Sequence, residues 1–403
     1  MDLHFGSVCV RNPDTVFQNA TPHMESIVAT TTFSYDDPEA LMKVFSGEEK
    51  GFIYSRWSNP TIELAEQKVA ALEACGINDA EGKPLKLSAH MFSSGMGSIS
   101  TLFLANLKTG DKVLAQENLY GGTAEFINKI LAQHGVEPIL MDLKDLIRVE
   151  ELVQRDQKIK MLYIETPSNP TIDCYDIEAL TKIAKQKDLI VAVDNTFASP
   201  YLQQPFRYGV DFVVHSTTKY INGHGNSTSG MLISREDSSM NKPIFDHRKL
   251  LGSNSNAFDA WLLLQGVKTL EVRMQRHCYN AMKVAEFLST HPKVSRVNYA
   301  GLPSHRDHAV AKKQMRDFSG MLSFELKDGL EAGKTLMKNV KLCKLAVSLG
   351  TVDTIIQHPA SMSHVGVAKT VREQYGITDG LVRLSVGIED VVDLIADFDQ
   401  ALG

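Results

Sequence analysis

The chain has 403 residues, 43% hydrophobic and 22% charged, with a formal net charge of −6. That length leaves room for more than one domain, and the expected class is a soluble globular protein. No long basic run and no apolar stretch of membrane-spanning length occurs, which argues against nucleic-acid binding and against a membrane protein. Cys9, Cys75, Cys174, Cys278 and Cys343 are scattered and form no CxxC or Cys/His cluster. They imply neither a disulfide framework nor a metal site, and with no basic-then-apolar leader the expected compartment is reduced and cytoplasmic.

In chain order, residues 1–60 are rich in Ser, Thr, Asn and Pro and are too polar to form a core. Such a segment is either disordered or an arm that packs on a neighbouring subunit. Its end, Tyr54-Ser-Arg-Trp-Ser-Asn-Pro60, sets a tyrosine and an arginine just ahead of a helical pattern at 61–74. Arg56 suits bidentate phosphate recognition, or is a solvated loop arginine. Apolar runs then alternate with helical patterns. Strands are expected at 89–92, 112–115, 137–141, 161–165, 189–194 and 212–215, with helices between them, for example at 122–133 and 177–187. This alternation predicts an α/β fold with a mostly parallel sheet covered on both faces, and ligands bind beyond the carboxyl ends of such strands.

The polar motifs fall at those ends. Ser93-Ser-Gly-Met-Gly-Ser98 precedes a helical run; it is either a phosphate cradle of backbone N–H groups or a helix start capped by Ser94. It matches neither the GxGxxG nor the P-loop pattern. Tyr120-Gly-Gly122 offers a ring to stack on a planar ligand, or an exposed helix-start tyrosine. Glu165-Thr-Pro-Ser-Asn-Pro170 is a loop in which Asn169 is either a donor to a phenolate or an ordinary loop residue. Asp194 ends the fifth run, and Ser216-Thr-Thr-Lys-Tyr220 follows the sixth. A lysine behind two hydroxyls, with a carboxylate at the preceding strand end, can be the Schiff-base lysine of a pyridoxal 5'-phosphate (PLP) enzyme. Lys219 would trap the aldehyde, Ser216 and Thr218 would hold phosphate, and Asp194 would keep the pyridine nitrogen protonated. The alternative is a surface lysine after a buried strand.

A long helical pattern at 256–289 leads into a second, smaller α/β unit. Its strands are expected at 294–299, 320–326 and 381–386, and its helices at 330–340 and 389–402. The expected division is an arm at 1–60, a PLP-binding domain at 61–258 and a C-terminal small domain at 259–403. Arg383 interrupts an apolar strand and needs an anionic partner, either a substrate carboxylate or a structural Asp or Glu. His358 and His364 read as satisfied loop residues rather than metal ligands.

Nine segments resemble, in order, the Cys/Met-metabolism (trans-sulfuration) family of fold-type I PLP-dependent enzymes. They are YSRWSNPT (54–61), SSGMGS (93–98), YGGT (120–123), ETPSNP (165–170), VDNTFASPY (193–201), HSTTKYINGHG (215–225), AVSLG (346–350), QHPASMSH (357–364) and VRLSVGIED (382–390). The resemblance runs from about Thr21 to the C-terminus. It implies Lys219 as Schiff-base lysine and proton shuttle, Asp194 as the pyridine-nitrogen partner, and Tyr120 as ring-stacking group and acid at the leaving sulfur. It implies phosphate contacts from Gly95, Met96, Ser216 and Thr218, and from Tyr54 and Arg56 across a subunit boundary. The partner is then a second copy of the chain, in a dimer or dimer of dimers with shared active sites. Asn169 would lie near the cofactor phenolate, and Ser348 with Arg383 would bind the α-carboxylate of a sulfur amino acid.

The family includes γ-lyases, γ-synthases, β-lyases and sulfhydrylases. Members acting on cystathionine tend to carry Glu before the carboxylate-binding Ser, where this chain has Val347, and cystathionine γ-lyases tend to carry an acid where it has Ile53. AVSLG and QHPASM are similar to methionine γ-lyases. The resemblance therefore implies α,γ-elimination of L-methionine or homocysteine; γ-replacement on O-acylhomoserine and cystathionine γ-lyase or γ-synthase chemistry are the alternatives. Gly122 departs from the first reading, since methionine γ-lyases typically have Cys there. Residues 75–87 read as a surface insertion relative to the family.

Overall fold

The computed structural model describes residues 3–11, 22–362, 365 and 368–403. Thr21, Ser363 and His364, named above, lie outside the described residues.

Seven strands form the large sheet: β1 (Leu87–Phe92), β2 (Lys112–Gln116), β3 (Glu137–Met141), β4 (Ile159–Glu165), β5 (Ile190–Asp194), β6 (Phe212–His215) and β7 (Gly230–Arg235). Their order is β1-β7-β6-β5-β4-β2-β3. β3, β2, β4, β5 and β6 pair in parallel, and β7 runs antiparallel between β1 and β6. The middle strands are buried along nearly their whole length, as expected for a sheet with helices on both faces. The six strands expected from the apolar runs are all present. β7 was not among them: its run is short and follows a polar Gly/Ser/Thr stretch.

Five strands form the second sheet: β8 (Val294–Asn298), β9 (Met321–Leu326), β10 (Lys344–Leu345), β11 (Ile355–Gln357) and β12 (Leu381–Ser385), ordered β10-β11-β12-β9-β8. The helices Gly329–Asn339 and Val391–Leu402 cover it. The expected α/β class, with a mostly parallel large sheet and a smaller C-terminal α/β unit, is the observed one.

The 256–289 pattern is two helices, Ala257–Val267 and Leu270–Thr290. The break is tertiary in origin. A Cβ at Gly266 would overlap the Asn222 carbonyl oxygen, so the glycine lets the helix end touch the loop after Lys219. The Arg273 guanidinium then donates to the carbonyls of Tyr220 (2.7 Å), Ile221 (3.1 Å) and Gly266 (3.0 Å), bracing that loop from the next helix. Ala260, Leu263, Leu264 and Val267 pack in the core of the large sheet, whereas Ala281, Val284 and Leu288 pack in the core of the small one. The two cores thus meet partway along Leu270–Thr290, beyond residue 258. Of the N-terminal segment, Phe5 and Cys9 are buried against the large unit of their own chain. The Lys68 ammonium caps the carbonyls of Val8 (2.7 Å) and Arg11 there.

Candidate active site

The carboxyl ends of β4, β5 and β6 present Glu165, Asp194 and the 216–220 loop side by side. Ser216 N–H donates to Thr196 Oγ1 at 2.9 Å, and Lys219 N–H donates to the Ser216 carbonyl at 3.1 Å, which turns the lysine back over the sheet end. Its Nζ has one side-chain partner, Ser348 Oγ at 3.0 Å, from the loop after β10. Burial, with the nearby Arg383 charge, lowers the Lys219 amine to about 8.

Arg383, on β12, is 5% exposed. It donates to Asn169 Oδ1 at 3.1 Å and to the Ser348 carbonyl at 2.8 Å, and its Nε has no partner among the described residues. Burial lowers it to about 10. Of the two partners considered for it, no Asp or Glu carboxylate pairs with it among the described residues. Asn169, with its oxygen held by Arg383, keeps its amide nitrogen free to donate.

Asp194 is buried. Thr196 N–H donates to its Oδ1 at 3.0 Å and the Tyr163 hydroxyl to its Oδ2 at 3.3 Å. Burial raises its pKa despite those donors. Glu165 lies opposite it in strand register, and burial together with the Asp194 charge raises that carboxyl too. Glu165 accepts the N–H of Tyr120 at 2.7 Å and the N–H of Asn169 at 3.2 Å. The sequence reading placed it at a strand end without a role. Also unforeseen is a buried pair beneath the 216 loop, His215 Nε2 with Glu73 Oε1 at 2.6 Å.

At the first strand end, the helix Gly95–Asn106 starts with Ser94, whose Oγ accepts the Gly97 N–H at 3.0 Å. Ser94 thus caps the helix, as one of the two readings has it, and the capping leaves the N–H groups of Gly95 and Met96 ahead of it available to an anion. A Cβ at Gly95 would sit 2.8 Å from Ser216 Cβ, so the glycine lets the helix start and the 216 loop close on one small space. The Thr218 hydroxyl, by contrast, donates to the Ser229 carbonyl at 3.0 Å and accepts its N–H at 2.9 Å. Tyr120 is 47% exposed. A Cβ at Gly122 would lie 2.7 Å from its ring and 3.1 Å from Met96 Sδ, so Tyr120 leans over the cradle.

Three expected residues stand apart from this cluster. Arg56 donates to the Lys249 carbonyl at the end of the helix Asn241–Leu251 and packs 5.5 Å from the Tyr54 ring centroid. Ile53 lies in the segment that pairs with residues 32–33. Val347 is at the cluster's edge, its side chain exposed beside Ser348. His358 is satisfied as expected, by Ser361 Oγ and the Asp379 carbonyl, each at 2.8 Å.

The residues present fit PLP. A buried amine with a lowered pKa follows the strand next to the one that ends in a buried carboxylate able to pair with a pyridinium. Two glycines open a helix N-terminus beside Ser216, and a tyrosine ring overhangs it. A family model described as "Cys/Met metabolism PLP-dependent enzyme" matches residues 7–403. An L-methionine γ-lyase of Fusobacterium nucleatum subsp. polymorphum is 47% identical over 377 residues, covering 93% of this chain and 92% of the relative. The crystal structure of metB from Corynebacterium glutamicum superposes with a TM-score of 0.90 at 39% identity, covering 99% of this chain and 98% of that one. A cystathionine γ-synthase structure from Xanthomonas oryzae pv. oryzae, in complex with aminoacrylate and cysteine, gives a TM-score of 0.90 at 34% identity, covering 100% and 98%. With that coverage and this site, the chain belongs to the Cys/Met-metabolism family of PLP-dependent enzymes.

Proposed function

We propose that the chain is a carbon–sulfur lyase that converts L-methionine and water to methanethiol, 2-oxobutyrate and ammonia; homocysteine would give sulfide in place of methanethiol. The observation that carries this reading is Arg383, a buried guanidinium whose partners are a side-chain amide and a carbonyl. It waits one residue from the Lys219 amine, through Ser348. That spacing suits an α-amino acid, with its carboxylate on Arg383 and its α-carbon near Lys219.

Lys219, Asp194, Asn169, Ser216 and the N–H groups of Gly95 and Met96 would hold PLP, and Thr218 would join them if its hydroxyl turned from Ser229. Bound PLP supplies an aldehyde that condenses with the substrate amine and a protonated ring that draws electrons from Cα. Asp194 keeps the ring proton in place. Lys219, once displaced, would take the proton from Cα, return it to the bound substrate–cofactor pair, and with its amine free again take one from Cβ. Tyr120, overhanging the site, gives its hydroxyl proton to the sulfur that leaves Cγ. Val347, at the cluster's edge, offers no polar group to the distal end of cystathionine and suits a thioether methyl, and Ile53, apart from the cluster in its own chain, would do the same only across a subunit boundary. Gly122 favours a second reading. Its lack of a side chain is what lets the Tyr120 ring rest where it does, and cystathionine and sulfhydrylase members share that glycine. The product assay runs over methionine, homocysteine, cystathionine and O-acetylhomoserine, with and without sulfide, read by mass spectrometry. Methionine should give methanethiol and 2-oxobutyrate at the highest kcat/KM; faster turnover of cystathionine, or of O-acetylhomoserine with sulfide, replaces this reading with the second.

We further infer a cytoplasmic homotetramer, a dimer of dimers, in which Tyr54 and Arg56 serve the neighbouring chain's phosphate. Five cysteines without disulfides support the compartment. The exposure of Met42, Phe45, Leu250 and Leu251, close in sequence to Tyr54 or Lys249, supports the interface. Arg56→Ala and Lys219→Ala chains, inactive apart, should regain part of the activity when mixed and exchanged. Verified heterodimers without activity would mean that each chain builds its own site.

The lowered Lys219 amine sets a pH dependence. Below about 8 the amine is mostly protonated and cannot attack an aldehyde. The rate of PLP uptake by the cofactor-free chain should therefore climb with pH and bend near 8, whereas an ordinary lysine would bend at about 10.4. Arg383→Gln removes a repelling charge and should move the bend upward. In the linkage sense, the folded amine releases its proton below the unfolded one. Lys219's contribution to the stability of the cofactor-free chain thus rises with pH between those two values.

A further inference from the structure

Glu165 joins two loops that the reaction needs in fixed relation. Its Oε2 accepts the Tyr120 N–H at 2.7 Å and its Oε1 the Asn169 N–H at 3.2 Å. Its own backbone is gripped by Gln116, whose Oε1 accepts the Glu165 N–H at 2.9 Å and whose Nε2 donates to the Glu165 carbonyl. The side chain is therefore launched from a fixed point beside Asp194. No cation pairs with it among the described residues: its surroundings are burial, the Asp194 charge and those two N–H groups. A buried, unpaired carboxylate next to another carboxylate is costly. Glutamine would fill the same volume without that cost. Its amide, however, has one acceptor face and one donor face, so one of the two backbone N–H groups would meet another N–H. Only the ionised form gives an unopposed acceptor to both loops, and since burial and the Asp194 charge raise this carboxyl to about 8, that grip is fullest above about 8.

On the reading of the function above, we propose that Glu165 is a positioning residue that fixes the Tyr120 ring relative to Asn169 and, through Asn169, to Arg383. Ring contact and carboxylate receptor then keep one spacing although they come from different strands and different units. Glu165 touches neither substrate nor cofactor in this role.

The test compares the purified, PLP-loaded wild type with Glu165→Gln by hydrogen exchange, visible circular dichroism and kinetics. Residues 167–170 are a clean reporter, because Pro167 and Pro170 have no N–H and the Ser168 N–H is held by the Asp173 carbonyl at 2.9 Å. Exchange at 118–122 or at 167–170 should quicken about tenfold or more while 161–164 and 191–194 keep wild-type rates. The dichroism of the bound cofactor should change and kcat should fall about tenfold or more. Wild-type exchange at both segments, or faster exchange with dichroism and kcat within about twofold, overturns the proposal. If Glu165→Gln does not fold, Glu165→Asp is read the same way, since it keeps the charge but is too short for both loops. Kinetics use whichever of the four substrates the wild type turns over best. Failure on methionine thus counts against the lyase reading alone, while exchange and dichroism still judge Glu165.

Discussion

A guanidinium buried without a carboxylate is the constraint on which this site depends. Arg383 loses the hydration of a full positive charge and receives in return two dipolar acceptors, Asn169 Oδ1 and the Ser348 carbonyl. Hydrogen bonds to a charged group help, but they do not neutralise it, and the deficit persists until an anion arrives. The same charge depresses the Lys219 amine. On the proposed reading one residue would serve two events: it would receive a carboxylate, and its charge adds to the burial that lowers the Lys219 amine. Because Arg383 sits on the small sheet and Asn169 on a loop of the large one, the receptor is formed only when the two units pack together.

The opposite sign prevails a few residues away. Asp194 and Glu165 close adjacent parallel strands; burial raises the proton affinity of both, and the Asp194 charge adds to that of Glu165. Backbone N–H groups and the Tyr163 hydroxyl offset part of that strain, and a protonated ring lodged against Asp194 would offset more. A parallel sheet is what makes this possible, since its strands deliver every chemical group to one edge and leave the apolar runs to make the core. The site thus joins a buried guanidinium from the small unit, through Ser348, to the Lys219 amine of the large one, whose neighbouring strands end in two buried carboxyls.

Much of this was legible in the amino-acid order. The apolar runs marked β1 to β6, and the polar motifs carrying Lys219, Asp194, Tyr120, Asn169 and Gly95–Met96 lie at or just after strand ends as expected, because local pattern is enough to end a strand and start a helix. What escaped were features made by distant partners. β7 needs β1 and β6 on either side to be a strand at all. The break after Val267 leaves the helical period intact and comes from Gly266 and Arg273 meeting the 220–222 loop. Thr218 has the right type and position for a phosphate ligand, yet its hydroxyl is engaged by Ser229. Glu165 closes an apolar run with a carboxylate, which was the available signal; its two donors lie on two separate loops that no spacing rule connects.

The direct measurement concerns Arg383 and the carboxylate it waits for. Norleucine and norleucinol differ in that one group and neither can lose a thiol, so their inhibition constants against the best substrate isolate it. In the wild type, norleucine should bind about tenfold to a hundredfold more tightly than norleucinol, the range expected for charge-assisted hydrogen bonds. In Arg383→Gln the two should bind within about threefold of each other. Equal binding in the wild type, or the full preference surviving in the variant, would mean that the buried guanidinium is not the carboxylate receptor.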